Sequence, residues 1–468
     1  MSWLSFLHDK QGQAIFEQTH QRWFRYEDLY LESCAWVDYL KSQGVAAGDR
    51  VAYLHENSIE HLLLLFACAK IGAIFVPLNF RAPKIENERT LERIKAKIFL
   101  DTIPVVQKFN DYDFKDINEE QTPLMLFTSG STGKSKGVLL SGRMLKSNQL
   151  ATVENWELRS TDTSIIETPF FHTGAYNVLC LPLLSIGAKV VLAPKFSVEN
   201  FYQVSSRLTV YFGVPTMFEM IKKDDRFDTL SSTPLRFLVS GGAPCSSGLI
   251  KDFQEQGLNF KQGYGLTEVG PNCFLLPEEF SLKKVGSIGK PMPHSEVMLL
   301  GDNNEPVTKP FNVGEIVLSG EHLCSGFFQD QEVFEASLVN GFYRTGDLAF
   351  FDEDGFYYIK GRKKEMYISG GENVYPREVE EVFNSFIEVD DTQIVSVPDS
   401  KWGEVGFAFV TLKSSISKEE INGRLKMELA RYKHPRYLEF VDEFPLLANG
   451  KIDKRALKET ALRSVDGI

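Results

Sequence analysis

The chain has 468 residues, 43% apolar and 24% charged, an ordinary globular balance that can bury a large core and allows two to four domains. A formal net charge of −12 argues against general nucleic-acid binding, which draws its affinity from a basic surface, but leaves room for an anionic small ligand held by local N–H groups and lysines. Six scattered cysteines (Cys34, Cys68, Cys180, Cys245, Cys273, Cys324) contain no C-x-x-C pair and fit buried free thiols, not a zinc site or a disulfide framework.

The start, MSWLSFLHDK, lacks a basic stretch followed by a long apolar run, so no signal peptide is expected. Leu62–Leu78 is interrupted by Lys70, Gly72 and Pro77 and reads as a helix followed by a buried strand, not a membrane span. With no targeting signal in SVDGI at the other end, the expected location is the cytoplasm. No short-period repeat suggests a solenoid. Through the first three-quarters, helical patterns alternate with short apolar runs: Arg50–His55, Ala73–Leu78, Lys189–Pro194, Val210–Pro215 and Arg236–Gly242. Such runs suit strands covered on both faces, and several end in Gly, Pro or Ser, where ligand loops sit in open α/β sheets. From about Ser287 the texture changes to short strands and turns. Beyond residue 364 a small α+β unit is expected, with a helix over 376–384 that has Pro in its first turn, strands in IVSV and GFAFVTL, and a capping box at Ser417–Glu420 opening a helix to about Tyr432. The fold class is therefore α/β: a large N-terminal domain of layered α/β subdomains plus a β-rich subdomain (1–362), a step at 363–364, and a small α+β C-terminal domain (365–468).

The stretch TSGSTGKSKGVLLS (Thr128–Ser141) has the texture of a phosphate loop and ends a G-K-S like a Walker A motif. That motif needs a glycine at position 128, which is Thr128, and a helix from 137, where GVLLS is strand-like. A P-loop NTPase is therefore excluded. What remains is a Ser/Gly loop between two strands, with N–H groups and the hydroxyls of Thr128, Ser129, Ser131 and Thr132, freed to turn by Gly130 and Gly133, and with Lys134 and Lys136 adding charge. On this stretch alone a solvated hairpin explains the letters equally well.

Further stretches occur in order: SGGAP (Ser240–Pro244), QGYGLTE (Gln262–Glu268), YRTGDL (Tyr343–Leu348), the Gly361–Arg362 pair, SGGENVYP (Ser369–Pro376) and NGKID (Asn449–Asp453). Each is weak alone. Together with the opening loop they closely resemble the adenylate-forming superfamily, which includes acyl-CoA synthetases, coumarate ligases, firefly luciferase and peptide-synthetase adenylation domains, over roughly residues 50–455. One departure is Ser135, where the family usually has Pro before the second lysine. Proline stiffens a loop, so a somewhat more mobile loop is expected here.

The resemblance implies an ATP-dependent acid–thiol ligase that uses ATP, Mg²⁺ and coenzyme A, with a carboxylic acid as substrate, no nucleic acid and no membrane span, and with room for a homodimer. It assigns phosphate contacts to Thr128, Ser129, Gly130, Ser131, Thr132 and Gly133, with Lys136 as anchor. Gly242, Ala243, Pro244, Tyr264 and Gly265 fall at the adenine, Thr267 at the α-phosphate, Glu268 at Mg²⁺, and Asp347 and Arg362 at the ribose. Lys451 stabilises charge in the adenylation step, Lys364 is the hinge, and Gly370 and Gly371 line the CoA channel. His172, in PFFHTGAYNV, orients the carboxylate or packs as an ordinary histidine. Amino-acid-activating relatives carry Asp after the Phe of this motif, whereas Phe171 is followed here by His172, which argues against an amino acid. The expected acyl pocket is Tyr176, Asn177, Phe212, Val214 and Met217, mostly apolar and without a basic residue for a second carboxylate. A medium- or long-chain fatty acid is the first expectation. An aromatic acid such as succinylbenzoate, or a non-CoA acceptor, is the alternative. A non-catalytic relative would have lost Lys451, Glu268 or Asp347, and all three are present.

Overall fold

The apolar runs fold as the inner strands of layered sheets. The computed structural model describes residues 2–128, 135–243, 245–446 and 452–466, and of Ser247, Glu278 and Asp466 the backbone alone. The chain divides into two compact units, Met1–Val297 with Val317–Arg344, and Met298–Ile316 with Thr345–Ile468. The step expected at 363–364 lies inside the second of these, which takes in β-rich hairpins as well as the tail.

In the first unit one sheet runs Gly326–Phe327, Lys136–Leu140, Leu124–Thr128, Ile74–Pro77, Arg50–Tyr53, Ile98–Leu100 among the described residues. The last four are mutually parallel, and the pair around the phosphate-loop stretch is antiparallel. The helix Glu60–Ile71 is apolar on nearly every side because it is buried on nearly every side, packed on the helix Tyr26–Ser42. It ends at Gly72 in the left-handed region at φ +83°, a conformation glycine adopts without a Cβ penalty. A second sheet carries Lys189–Leu192, and a third, fully parallel, carries Val210–Gly213, Phe237–Ser240 and Phe260–Gln262. Aromatic packing of Phe201, Tyr211, Phe218, Phe253 and Phe260 fills the core beside this third sheet.

In the second unit Asp347–Phe351 pairs antiparallel with Tyr357–Arg362. The tail sheet is built on the long hairpin Val389–Asp399 with Gly403–Leu412. Both faces are covered: Ile394, Ala408 and Val410 pack with Val379, Phe383 and Ile421, and Val395, Val397, Phe407 and Phe409 pack with Leu457 and Ala461. Two-sided burial explains why these strands read as unbroken apolar runs. The helix Pro376–Asn384 forms as expected. The Ser417 box closes reciprocally, Glu420 N–H donating to Ser417 Oγ at 3.2 Å and Ser417 N–H to Glu420 Oε2 at 3.0 Å. Its helix stops at Glu428, short of Tyr432, because Leu429 is extended and the chain turns toward Pro435. All six cysteines are free and buried. Among the described residues no helix is long and apolar enough to cross a membrane.

Candidate active site

Three parallel strands, Val210–Gly213, Phe237–Ser240 and Phe260–Gln262, present their carboxyl ends along one edge, where the loops that follow can hold a ligand. Backbone bonds lock those loops together. Gly241 N–H donates to Gly213 O at 3.2 Å and Gly263 N–H to Ser240 O at 2.7 Å, while Cys245 N–H donates to Gln262 Oε1 at 3.0 Å. Gly242 takes φ +79°, and Ala243 beside it is exposed. Pro244 lies outside the described residues.

The chain then passes through Tyr264, whose ring meets Phe274 edge-on at 5.5 Å. Gly265 has no room for a side chain, since a Cβ would fall 2.3 Å from the Pro271 carbonyl carbon and 2.4 Å from Gly270 O. Thr267 and Glu268 occupy a tight turn closed by the bridge between Leu266 and Gly270. Residues 322–324 hold this turn from outside: Cys324 N–H donates to Glu268 O at 2.9 Å, and the His322 Nδ1–H donates to Val269 O. That bond fixes the His322 tautomer, and burial holds the ring below its ordinary pKa. Among the described residues no group of three or more His, Cys, Asp or Glu could cage a metal by itself.

Of the phosphate-loop residues, Ser129, Gly130, Ser131, Thr132, Gly133 and Lys134 lie outside the described residues. The two stems are described: Phe127 stands opposite Gly137 and Thr128 opposite Lys136 in an antiparallel pair. Among the described residues a strand, Lys136–Leu140, follows the loop and the first helix after it begins only at Gly142, whereas a Walker A loop runs straight into a helix. The Lys136 ammonium sits 4.5 Å from the Phe327 ring centre, a cation–π contact.

In the second unit the register of the hairpin sets Asp347 opposite Arg362, and Arg362 Nε pairs with Asp347 Oδ1 at 2.9 Å. Arg362 also donates to Thr345 O at 2.9 Å. The two expected ribose residues are thus adjacent. Lys364 sits in a turn, Glu365 N–H and Met366 N–H both reaching Arg362 O. Gly370 and Gly371 take φ +62° and +91°, and Gly370 lies under the Trp402 ring, where a Cβ would approach to 2.7 Å. Lys451 lies outside the described residues. The flanks of its loop are pinned by the Leu446–Ile452 bridge and by Asp453 N–H donating to Pro445 O at 2.7 Å.

On the side expected to take the acid, the PFFH motif leads into a π-helix, Ala175–Cys180, an irregularity that sequence patterning does not reveal and that recurs at functional sites. Buried amides take its carbonyls: Asn148 Nδ2 donates to Asn177 O at 2.7 Å, and Asn272 Nδ2 donates to the same oxygen at 3.2 Å and to Val178 O at 3.4 Å. Asn272 follows the Glu268 turn, so one polar cluster joins that turn to the π-helix. His172 stands at 4.5 Å from the Phe171 ring. Tyr176 is fully enclosed against Phe170, Asn177 is buried, and Met217 belongs to the aromatic core. Phe212 and Val214 are partly accessible. The Phe212 ring lies between Gly174 and Gly241, 3.0 Å from the place of either missing Cβ.

Glu167, just ahead of the motif, was not singled out by sequence. It is 1% exposed, accepts from Tyr211 Oη at 3.2 Å and Ser197 N–H at 3.4 Å, and burial pushes its carboxyl up to about 8. A raised folded-state pKa means that the stability is fully present below the ordinary value near 4.5 and is lost as pH rises toward 8. Glu167→Gln, isosteric and uncharged, is expected to raise the melting temperature at pH 8 by several degrees, on the order of a few kcal/mol, with the gap closing toward pH 5. A gap independent of pH would show that Glu167 does not titrate in the fold.

The family model for an AMP-binding enzyme matches residues 8–328, and the model for the AMP-binding enzyme C-terminal domain matches residues 378–451. A feruloyl-CoA synthase from an Amycolatopsis species is 36% identical over 89% of each chain. The indoleacetate–CoA ligase of Aromatoleum aromaticum is 34% identical over 91% of this chain and 90% of its own. The long-chain-fatty-acid–CoA ligase FadD13 of Mycobacterium tuberculosis is 30% identical over 90% of each. Among solved structures, ATP-bound MatB from Rhodopseudomonas palustris superposes with a TM-score of 0.91 at 26% identity, covering 98% of this chain and 99% of that one. The o-succinylbenzoate CoA synthetase MenE of Bacillus subtilis, in complex with ATP and magnesium ion, superposes at 0.86 with 28% identity over 98% and 99%.

Proposed function

The chain belongs to the AMP-binding enzyme family and is an adenylate-forming CoA ligase, and we propose that its acid is a monocarboxylate with a flat, aryl-bearing apolar body. Phe212 carries this reading: its ring lies between the acyl-side Gly174 and the adenine-side Gly241. A planar acyl group gains about 0.5–1.5 kcal/mol from an aromatic partner beyond area burial. The feruloyl and indoleacetate relatives support the same class. A medium- or long-chain fatty acid is the second reading, favoured by the FadD13 relative and by the apolar run HTGAYNVLCLPLL.

ATP, Mg²⁺ and CoA serve the reaction. The Glu268 turn offers one carboxylate without a surrounding acidic cage among the described residues, which fits a hard cation that takes its other oxygens from phosphates and water. Bound there, Mg²⁺ would neutralise charge across the phosphate oxygens. In the first step a carboxylate oxygen attacks the α-phosphorus, the bond to the bridging oxygen of the β-phosphate breaks, and pyrophosphate leaves. The loop 128–137 with Lys136 holds the departing phosphates, Thr267 bonds the α-phosphate, His172 orients the carboxylate, and Lys451 stabilises the charge that builds between the two anions. Asp347, paired with Arg362, accepts the ribose hydroxyls. Rotation of the tail about Lys364 then brings Gly370 and Gly371 to the adenylate. The CoA sulfur, its proton lost, attacks the acyl carbon, the carbon–oxygen bond to phosphate breaks, and AMP leaves. Enclosure by the tail keeps water from hydrolysing the adenylate.

CoA consumption measured across cinnamates, arylacetates and C6–C16 fatty acids checks the acid class. Aryl acids are expected to lead in kcat/KM by about tenfold, the discrimination a shaped apolar pocket supplies. A profile peaking among C12–C16 acids would install the second reading, and pyrophosphate release without CoA consumption would point to a different acceptor.

A further inference from the structure

We propose that Arg93 is a positioning residue of the phosphate loop, holding both of its stems. The proposal rests on the reading of 128–137 as the phosphate loop. Arg93 lies in the last turn of the helix Lys84–Ile94. Its NH1 donates to Ser135 O at 2.5 Å, on the residue that enters the strand Lys136–Leu140. Its guanidinium also lies 5.8 Å from the ring centre of Phe127, the residue before Thr128. One side chain therefore touches the chain on either side of residues 129–134.

The guanidinium is itself held. Arg93 NH2 pairs with Asp330 Oδ2 at 2.6 Å and reaches Phe328 O at 3.4 Å. The segment that supplies these acceptors is fastened to the same strand: Gly326 and Phe327 pair with Leu139 and Val138, and Phe328 N–H donates to Gly137 O at 2.7 Å. Phe327 also carries the Lys136 ammonium on its ring. The planar guanidinium can donate to a carbonyl through one nitrogen and to a carboxylate through another. Lysine, with its donors on a single nitrogen at the end of a flexible stem, lacks that preorganised fork. Proline at 135 would limit φ and stiffen the loop covalently. Serine leaves φ free, and the bond from Arg93 to the Ser135 carbonyl restrains the same residue from outside.

The test separates the half-reactions. The β- and γ-phosphates take part in adenylation alone, so a loop-positioning role must fall on ATP use and spare the thioester step. Arg93→Met is expected to raise the KM for ATP about tenfold, the scale of a misplaced binding group, and to weaken ATP binding by calorimetry to match. CoA thioester formation from supplied acyl-adenylate should stay within about twofold of wild type, since that substrate carries no pyrophosphate. Ser135→Pro added to Arg93→Met should recover most of the ATP affinity. Asp330→Asn, which leaves the Ser135 contact in place, should give a smaller effect in the same direction. Equal losses in both half-reactions without recovery by Ser135→Pro would mark Arg93 as a general stabiliser and overturn the proposal, as would unchanged ATP parameters in Arg93→Met. A wild-type protein that neither binds ATP nor releases pyrophosphate would sink the reading of the loop and the proposal with it. A working wild type with an indifferent Arg93→Met sinks the proposal alone.

Discussion

Lys451→Ala is expected to lower acid-dependent pyrophosphate release by about 10²–10³-fold, the cost of removing a preorganised charge from a developing anion, while CoA thioester formation from supplied acyl-adenylate continues near the wild-type rate. The first step brings a carboxylate and an α-phosphate together, two groups of like charge, and the ammonium of Lys451 is the cation assigned to lie between them. The second step has already lost pyrophosphate and no longer needs that charge. The scaffold for such a role is in place on either side. Leu446 bridges Ile452, and Asp453 Oδ1 accepts from Arg455 N–H and Ala456 N–H at 3.1 Å each, capping the helix Lys454–Asp466. Lys454, next in line, pairs with Glu365 at 3.0 Å and Glu380 at 3.3 Å. The melting temperature of the variant, measured beside its activity, separates a lost charge from a lost fold. Pyrophosphate release at the wild-type rate would remove Lys451 from the mechanism.

Gly265→Ala is expected to cost as much by a different route. The added methyl would lie 2.3–2.4 Å from backbone atoms of Gly270 and Pro271, which cannot swing aside as a side-chain tip can. Relief has to come from opening the Leu266–Gly270 bridge or the bond from Cys273 N–H to Tyr264 O, and both define where Thr267 and Glu268 sit. Overpacking of this kind costs about 1–3 kcal/mol or more. Because the displaced turn is the one assigned to the α-phosphate and Mg²⁺, ATP-dependent activity should fall about 10²-fold. Gly263→Ala is the control: its methyl would meet Val239 Cγ1 at 3.2 Å, a contact relieved by a shift of a few tenths of an ångström, and it should lower activity far less. Equal activities for the two variants would show that the turn tolerates displacement.

The strands were readable because burial on both faces leaves an unbroken apolar run, as in Val210–Gly213 and Phe237–Ser240. The antiparallel stems of the phosphate loop were readable because Gly and Ser punctuate between two such runs. The capping box at Ser417 was local chemistry, legible letter by letter. Arg93 was not legible: 42 residues separate it from Ser135 and 237 from Asp330, and no local pattern links a helix-end arginine to either. The π-helix at Ala175–Cys180 escaped for a related reason. Its carbonyls are taken by Asn148 and Asn272, which come from two other parts of the chain, and the sequence of the segment alone is compatible with an ordinary helix. Tyr176 illustrates the same limit: the motif marks the neighbourhood proposed for the acyl site, but which side chains face it depends on that irregular turn. Glu167 reads on paper as one carboxylate among many, and only its enclosure under Tyr211 makes it unusual.

The six buried thiols also make this protein convenient to study. Burial pushes the Cys245, Cys273 and Cys324 thiols up to about 12 and raises the other three as well, so at pH 8 the folded chain holds almost no thiolate to react with a disulfide reagent such as Ellman's. The colour in a continuous assay would then report free CoA with little protein background. The same quiet background lets a single cysteine introduced on the exposed surface of the tail carry a fluorophore without removing any native thiol, and its signal would test whether the tail rotates between the half-reactions as proposed.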